Sequence, residues 1–398
     1  MSAARPSASS PVRRRPPSSG RLEALDGLRG AAALSVLLVH VWMFDRGDDG
    51  GARTAVDVAI SQLRLSMPLF FVLSGFLIFR PFAAALIDAR PLPDLGSYAL
   101  RRAARVVPAY WLAILATAVL LVAIGHPFAV GAIDLPRFLL FLQNYSTATV
   151  GRLNPPTWTI AVEATFYLAV PLLVLGSAGL VRRGRTAARR RTILAVGCAA
   201  LLVAGAAAMG WTMVTGAGPT YADSLPARFG SFGAGMLAAV LVHGRRLDRG
   251  AATALAAAGL ALVLLEAAVH GLTLGSRELR QATLDTAASC GFGMIIAAFA
   301  LGRPVGGGLL ARGPLRWTGT VSYGLYLAHF PVIFALRSFD AWPSGLLAAA
   351  LLTATIGLLL ATASWHLLEK PAIAWAHRRT PGRSGARRPS LAGAGAGD

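Results

Sequence analysis

Val107-Pro-Ala-Tyr-Trp-Leu-Ala-Ile-Leu-Ala-Thr-Ala-Val-Leu-Leu-Val-Ala-Ile-Gly125 contains no charged residue. A helix that crosses a bilayer needs about 20 mostly apolar residues, and this stretch supplies them. Working outward along the chain, similar stretches occupy residues 27–44, 65–87, 157–178, 192–211, 226–243, 251–270, 284–302, 317–336 and 344–366. With 107–125 they make ten. Gly, Ser or a single ionisable residue interrupts several of them, so nine or eleven spans are also open. The expected fold class is all-α: a polytopic membrane protein with about ten transmembrane helices in one bundle.

Composition agrees. Of the 398 residues 55% are hydrophobic and only 14% charged, and the mean hydropathy is +0.58. A soluble chain of this length shows water far more charge. With the N-terminus cytoplasmic and ten crossings, 29 of the 38 Lys and Arg fall on the cytoplasmic side and nine on the other. That is the positive-inside bias of a membrane protein with both termini cytoplasmic. It accounts for the net charge of +20 without nucleic acid as a partner, because the cations sit in short loops at helix ends. Cys198 and Cys290 both lie in apolar stretches, where they fill packing gaps rather than form a disulfide or metal site. Residues 1–20 form a basic Pro- and Ser-rich tail and 377–398 a basic Gly-rich one, both expected to be disordered. Between them, residues 21–376 form one transmembrane domain, with no further soluble domain expected after the last span. The first apolar stretch contains His40 and has no evident cleavage site, so it is expected to be retained rather than removed as a signal peptide.

Ionisable groups at membrane depth are costly, by about 2.5 kcal/mol or more on insertion scales, and usually face a bundle interior or an aqueous cavity. Glutamate is confined to Glu23, Glu163, Glu266, Glu278 and Glu369. In the first span, Arg29 and His40 lie eleven residues apart, close to three helical turns and roughly 16 Å along the axis. Both project from nearly one face, Arg29 at the cytoplasmic boundary and His40 near mid-bilayer. This suits a substrate path; a snorkelling Arg and a His engaged in helix packing would show the same spacing. In Asn154-Pro-Pro-Thr157-Trp158-Thr-Ile-Ala-Val-Glu163-Ala-Thr-Phe166-Tyr167, Thr157 is the expected N-cap and Glu163 falls near the second turn. A carboxylate lined by Trp158 and Tyr167 suits a polyhydroxylated acceptor, the alternative being a protonated Glu bonded to a neighbouring helix. Thr318, Ser322, Tyr326 and His329 make a polar stripe that either lines a cavity or joins helices. Ser364-Trp-His-Leu-Leu-Glu369-Lys-Pro371 is expected to cap and anchor the last span. Arg101, Arg102 and Arg105 could grip the phosphates of a nucleotide-like donor. Topology determination would explain the same cluster.

Together these segments resemble the integral-membrane acyltransferase family three, whose members acylate sugars, surface polysaccharides and macrolide antibiotics. The resemblance spans about residues 22–372. It is carried by Arg29 and His40 with ten residues between them, then by Phe70-Phe-Val-Leu-Ser74-Gly-Phe-Leu77. Arg101-Arg102-Ala-Ala-Arg105-Val-Val-Pro108-Ala-Tyr110-Trp111 and Thr157-Trp158-Thr-Ile-Ala-Val-Glu163 with Phe166-Tyr167 follow. Ser322-Tyr323-Gly-Leu-Tyr326-Leu-Ala-His329 and Glu369-Lys-Pro371 complete it. Some members carry a C-terminal hydrolase-like domain; this sequence resembles the stand-alone branch.

The resemblance implies a membrane-bound O-acyltransferase. Its donor would be acyl-CoA, with acetyl-CoA the first choice, and no permanently bound cofactor or metal is expected. The acceptor would be a hydroxyl of a carbohydrate, a cell-surface glycan or a glycosylated metabolite. Deprotonating a hydroxyl near neutrality suits an imidazole, which makes His40 the candidate general base and Glu163 the carboxylate that orients it or the acceptor. Family resemblance gives Arg29, Arg101, Arg102 and Arg105 the anionic donor. Ser74, Trp158, Tyr167, Tyr326 and His329 are the expected substrate-binding walls. The competing class is a proton-coupled exporter of a small molecule, for which the internal repeat common in transporters is not evident.

Overall fold

The computed structural model describes residues 19–46, 54–272 and 285–380. Most of both expected tails, and Glu278, lie outside the described residues. Ten helices organise the chain: α1 (Ser19–Arg46), α2 (Ser66–Ile87), α3 (Leu95–Ala123), α4 (Trp158–Arg182), α5 (Ala187–Thr215), α6 (Leu225–Val242), α7 (Arg249–Leu272), α8 (Thr286–Leu301), α9 (Gly313–Ser338) and α10 (Leu346–Ser364). No strand occurs among the described residues. Nine of the helices are long and apolar enough to cross a membrane. The tenth, α8, has 16 residues, which is short for a full crossing. Its first turn is held from the side: the buried Glu266 carboxylate of α7 accepts the Ala288 N–H at 2.9 Å, where a helix N-terminus favours negative charge.

Two ends of the sequence reading change. The last helix does not stop at the Ser364–Pro371 segment. It passes through a π turn at Trp365–Glu369 and continues as α11 (Lys370–Arg379), into the stretch expected to be tail. Thr157 does stand at the N-terminus of α4 but makes no side-chain cap. A 3₁₀ turn over Pro155–Thr157 leads straight into the helix, and the Thr157 hydroxyl donates to the Asn154 carbonyl at 2.6 Å instead.

In lipid there is no hydrophobic drive between helices, so association rests on close approach of small residues. Two glycine contacts set the frame. A Cβ on Gly235 of α6 would collide with the Val72 carbonyl oxygen of α2, and one on Gly75 with that of Phe232. A Cβ on Gly319 of α9 would strike the Asp26 carbonyl of α1, and one on Gly30 that of Leu315. Thus α2 lies against α6, and α1 against α9, backbone to backbone. Phe76, Phe82, Phe166 and Phe232 fill the interior and are fully buried, while Leu168, Leu172 and Leu175 of α4 face outward, as apolar groups meeting lipid should. At the end where α2 finishes, Asp88 joins His243 at 2.8 Å and Arg90 at 2.7 Å. The His243 contact, first among several, holds the Asp88 carboxyl below the usual carboxylate range.

Candidate active site

Helices α1, α2, α3, α4 and α9 surround a cavity of about 250 Å³. Its wall includes Arg29, His40, Ser74, Arg102, Arg105, Trp158, Glu163, Tyr167, Ser322 and Tyr326. The structure therefore gathers into one space residues spread from the first span to the ninth. Arg101 is not part of the wall. The sequence took Arg101, Arg102 and Arg105 together as one cluster; the pair facing the cavity is Arg102 and Arg105, three residues apart, while Arg101 acts electrostatically on Asp94.

The arginine end is built as follows. Arg29 Nη2 donates to Ser322 Oγ at 3.4 Å, and Ser322 Oγ donates to the Gly319 carbonyl at 2.9 Å. Arg102 lies over the Tyr167 ring, 5.8 Å from its centroid. Glu369 is buried, at 1% exposure; Ser364 Oγ donates to its Oε1 at 3.2 Å, and Arg105 and Arg29 are the cations acting on it. Sequence reasoning treated this glutamate as a helix-end anchor. The π turn instead brings it in as a counter-charge to the arginines, and such turns often mark functional sites.

The middle of the cavity holds Glu163, whose carboxylate accepts a hydrogen bond from Ser74 Oγ. It has Tyr167, one turn along α4, as a further neighbour. Glu163 is thus paired with Ser74 rather than with His40. The Tyr326 hydroxyl donates to the Pro156 carbonyl at 2.7 Å and meets Thr159 Oγ1 at 2.8 Å, so it fixes the start of α4 and presents its ring to the cavity.

His40 finds its partner on α9. Its Nδ1 lies 2.9 Å from His329 Nε2, with the rings stacked at 5.1 Å between centroids. His329 itself is buried, at 1% exposure, and reaches the cavity through His40. Its Nδ1 is 2.7 Å from the Tyr326 carbonyl oxygen. A carbonyl only accepts, so His329 Nδ1 carries the hydrogen. In neutral His329 the Nε2 is then the acceptor, and His40 must donate from Nδ1. The tautomer of His40 follows: Nε2 keeps its lone pair and has no hydrogen-bond partner among the described residues. The polar stripe of α9 divides accordingly, with Ser322 and Tyr326 at the cavity, His329 behind His40, and Thr318 bonded to its own helix.

Three polar wall residues had no part in the sequence-based site. Arg64 stands at the other end of the cavity from the Arg29–Arg102–Arg105 group, and Tyr323 and Thr159 complete the wall. The signal for Arg64 was present: a cation at the very start of an apolar span is as costly as Arg29. Tyr323 was legible only as part of a motif, because its hydroxyl is spent on the Val106 carbonyl at 2.9 Å.

Comparison with known proteins bears on this site. "Putative peptidoglycan O-acetyltransferase YrhL" of Bacillus subtilis (strain 168) is 27% identical over 372 residues, 88% of this chain and 54% of that protein. "Acyltransferase MdmB" of Streptomyces mycarofaciens is 28% identical over 162 residues, 39% of this chain and 40% of that protein. "Nodulation protein 10" of Rhizobium leguminosarum bv. viciae is 26% identical over 389 residues, 89% of this chain and 94% of that protein. The chain thus spans about half the length, or less, of the first two. No solved structure matches it. An acyltransferase-domain model matches residues 22–367, from the entrance of α1 to the π turn after α10, and the chain belongs to the integral-membrane acyltransferase family three.

Proposed function

We propose that the protein transfers an acyl group, acetyl in the simplest case, from acyl-CoA to a hydroxyl of a carbohydrate, cell-surface glycan or glycosylated metabolite, with His40 as general base. The single observation that carries this is the cavity that joins three arginines at one end to an imidazole with a free lone pair. The arginines suit the phosphates of a CoA donor, since guanidinium–phosphate pairs are strong and directional. With both termini cytoplasmic, the arginine end opens to the cytoplasm, where acyl-CoA resides.

The step balances on groups in the cavity. His40 Nε2 accepts the proton of the acceptor hydroxyl as its oxygen attacks the thioester carbonyl. A C–O bond forms, the C–S bond breaks, and the CoA thiolate leaves. His40 then returns the proton to the thiolate, so free CoA and an acyl ester are the products. His329 holds His40 in the tautomer this needs, the role of the third group behind a catalytic base. Positioned proton transfer of this kind is worth about 10²–10⁴ in rate. Ser74 and Glu163 accept or donate hydrogen bonds to the sugar hydroxyls, and Trp158 and Tyr167 offer ring faces to its apolar side. A cell-surface glycan as acceptor is supported by the name of one relative, "Putative peptidoglycan O-acetyltransferase YrhL".

The test is free-thiol release from acetyl-CoA and propionyl-CoA by the purified, detergent-solubilised protein with pooled glycan and macrolide acceptors. Acceptor-dependent release that His40→Ala abolishes is the expected result. Release unchanged in that variant removes His40 from the chemistry. No release with any acceptor, together with no binding of labelled acyl-CoA, overturns the donor assignment.

A further inference from the structure

Arg64 sits on the 3₁₀ turn Gln62–Leu65 that leads into α2, and it lines the cavity at the end away from Arg29, Arg102 and Arg105. Its Nη1 donates to Asp285 Oδ1 at 2.8 Å. Asp285 is steadied in turn by Arg228, whose Nη1 is 3.6 Å from Oδ2. Arg228 reaches Asp223 at 3.2 Å and lies over the Trp158 ring, 4.8 Å from its centroid. This chain of ion pairs fixes the Arg64 guanidinium beside an aromatic wall.

What remains open on Arg64 is specific. Nε and Nη2 are both buried, and neither has a hydrogen-bond partner among the described residues. These two N–H groups point in parallel from one edge of the planar guanidinium, the fork that matches the two oxygens of a carboxylate. Leaving two buried donors of a charged group unmade is costly, and an anion with two oxygens would satisfy both at once. The charge of the cavity agrees: four arginines, Arg29, Arg64, Arg102 and Arg105, face it against the single carboxylate of Glu163. Three of the four are committed to the donor.

We propose that Arg64 grips a carboxylate on the acceptor, so that the acceptor is an acidic sugar or an acidic glycoside. This rests on the acyl-transfer assignment above and deepens it. The acceptor carboxylate would lie on the Nε–Nη2 edge, its ring against Trp158, and its hydroxyl would extend inward toward His40.

The test compares methyl β-glucuronide with methyl β-glucoside, which differ only in carboxylate against hydroxymethyl, and adds glucose 6-phosphate as the phosphate arm. Calorimetric binding to the detergent-solubilised full chain is measured for wild type, Arg64→Lys and Arg64→Gln, with acetyl-CoA binding measured in parallel. Arg64→Lys keeps the cation and its Asp285 pair while removing the fork, so it serves where Arg64→Gln fails to fold. The expected result is a glucuronide preference of about tenfold or more in wild type, the worth of one charge-assisted hydrogen bond. In both variants that preference is lost, while glucoside and acetyl-CoA binding stay unchanged. Equal binding of the two glycosides by wild type, no binding of the glucuronide, or a preference that survives Arg64→Lys overturns the proposal. Tighter binding of glucose 6-phosphate than of the glucuronide replaces carboxylate by phosphate and overturns it as stated. Failure of acetyl-CoA to bind wild type would strike the donor assignment and leave the glucuronide comparison intact.

Discussion

His40 and His329 meet nitrogen to nitrogen at 2.9 Å across the interface of α1 and α9, and the Tyr326 carbonyl behind His329 sets which of the four ring nitrogens carries hydrogen. His329→Ala removes the acceptor for His40 Nδ1 and lets the other tautomer compete, with the lone pair turned away from the cavity. A hydrogen bond to a group that becomes charged is worth about 1.5–3 kcal/mol, or roughly 10- to 150-fold in rate. The expected outcome is a fall of that size in kcat with KM for acyl-CoA unchanged. A change confined to KM would make His329 a packing residue only.

Arg105 and Arg101 share a helix but not a surroundings. Arg105→Gln removes a cation that faces the cavity and is expected to raise the KM for acyl-CoA about tenfold or more, as the loss of a charge-assisted contact does. Arg101→Gln is expected to leave it within about twofold, the ordinary result for a surface charge. Equal effects of the two would show that the cluster acts through the general field at the helix end.

Gly235 lets α6 touch the Val72 carbonyl of α2. In Gly235→Val the helices must part, since backbone cannot yield as a flexible side chain does. Overpacking of this kind costs about 1–3 kcal/mol. A lowered melting temperature in detergent is expected, together with loss of activity, because α2 carries Ser74. An unchanged melting temperature would mean that the α2–α6 contact is not needed for stability.

His126 lies in the loop after α3, where its Nδ1 accepts the Phe128 N–H at 3.1 Å and its ring packs 4.4 Å from that of Phe334. Burial lowers its imidazole from the ordinary value near 6.5. The unfolded chain therefore takes up this proton more readily than the folded one. Its contribution to stability is complete above about pH 6.5 and is lost as pH falls through the folded value. The melting temperature of wild type should decline on acidification below that range. His126→Asn, which keeps an acceptor but does not titrate, should reduce the decline; an identical decline in the variant would exclude His126 as its source.

The bundle was legible because the apolar length that a bilayer demands is local information. Each long helix declares itself within about 20 residues, and only α8 at 16 residues falls short of the expected span. The arginines, His40 and Glu163 were legible for a related reason, since their burial cost makes an ionisable residue in such a stretch conspicuous. Pairing was not. Whether Glu163 meets His40 or Ser74 depends on how α1, α2, α4 and α9 rotate about their axes, and no single stretch encodes that. Arg101 was misplaced for the same reason: three arginines over five positions sweep more than a full helical turn, and the neighbours decide which face the cavity. Glu369 was misjudged because a π turn, which shifts the helical phase, leaves little trace in residue composition.

The glycine contact between α1 and α9 works as a common zero mark on two rulers. Gly30 and Gly319 touch the opposite helix, and from each of them ten residues lead to a histidine, to His40 on one side and His329 on the other. Parallel helices with equal rise, about 15 Å over ten residues, bring the two rings level without any direct tie between their backbones there. One residue added or removed on either ruler would turn its histidine by about 100° and shift it by one step. Segment lengths elsewhere in the chain can drift while these two stay fixed. The walls around Arg64, Ser74 and Trp158 belong to other elements, so that part of the cavity can change without disturbing the measured pair.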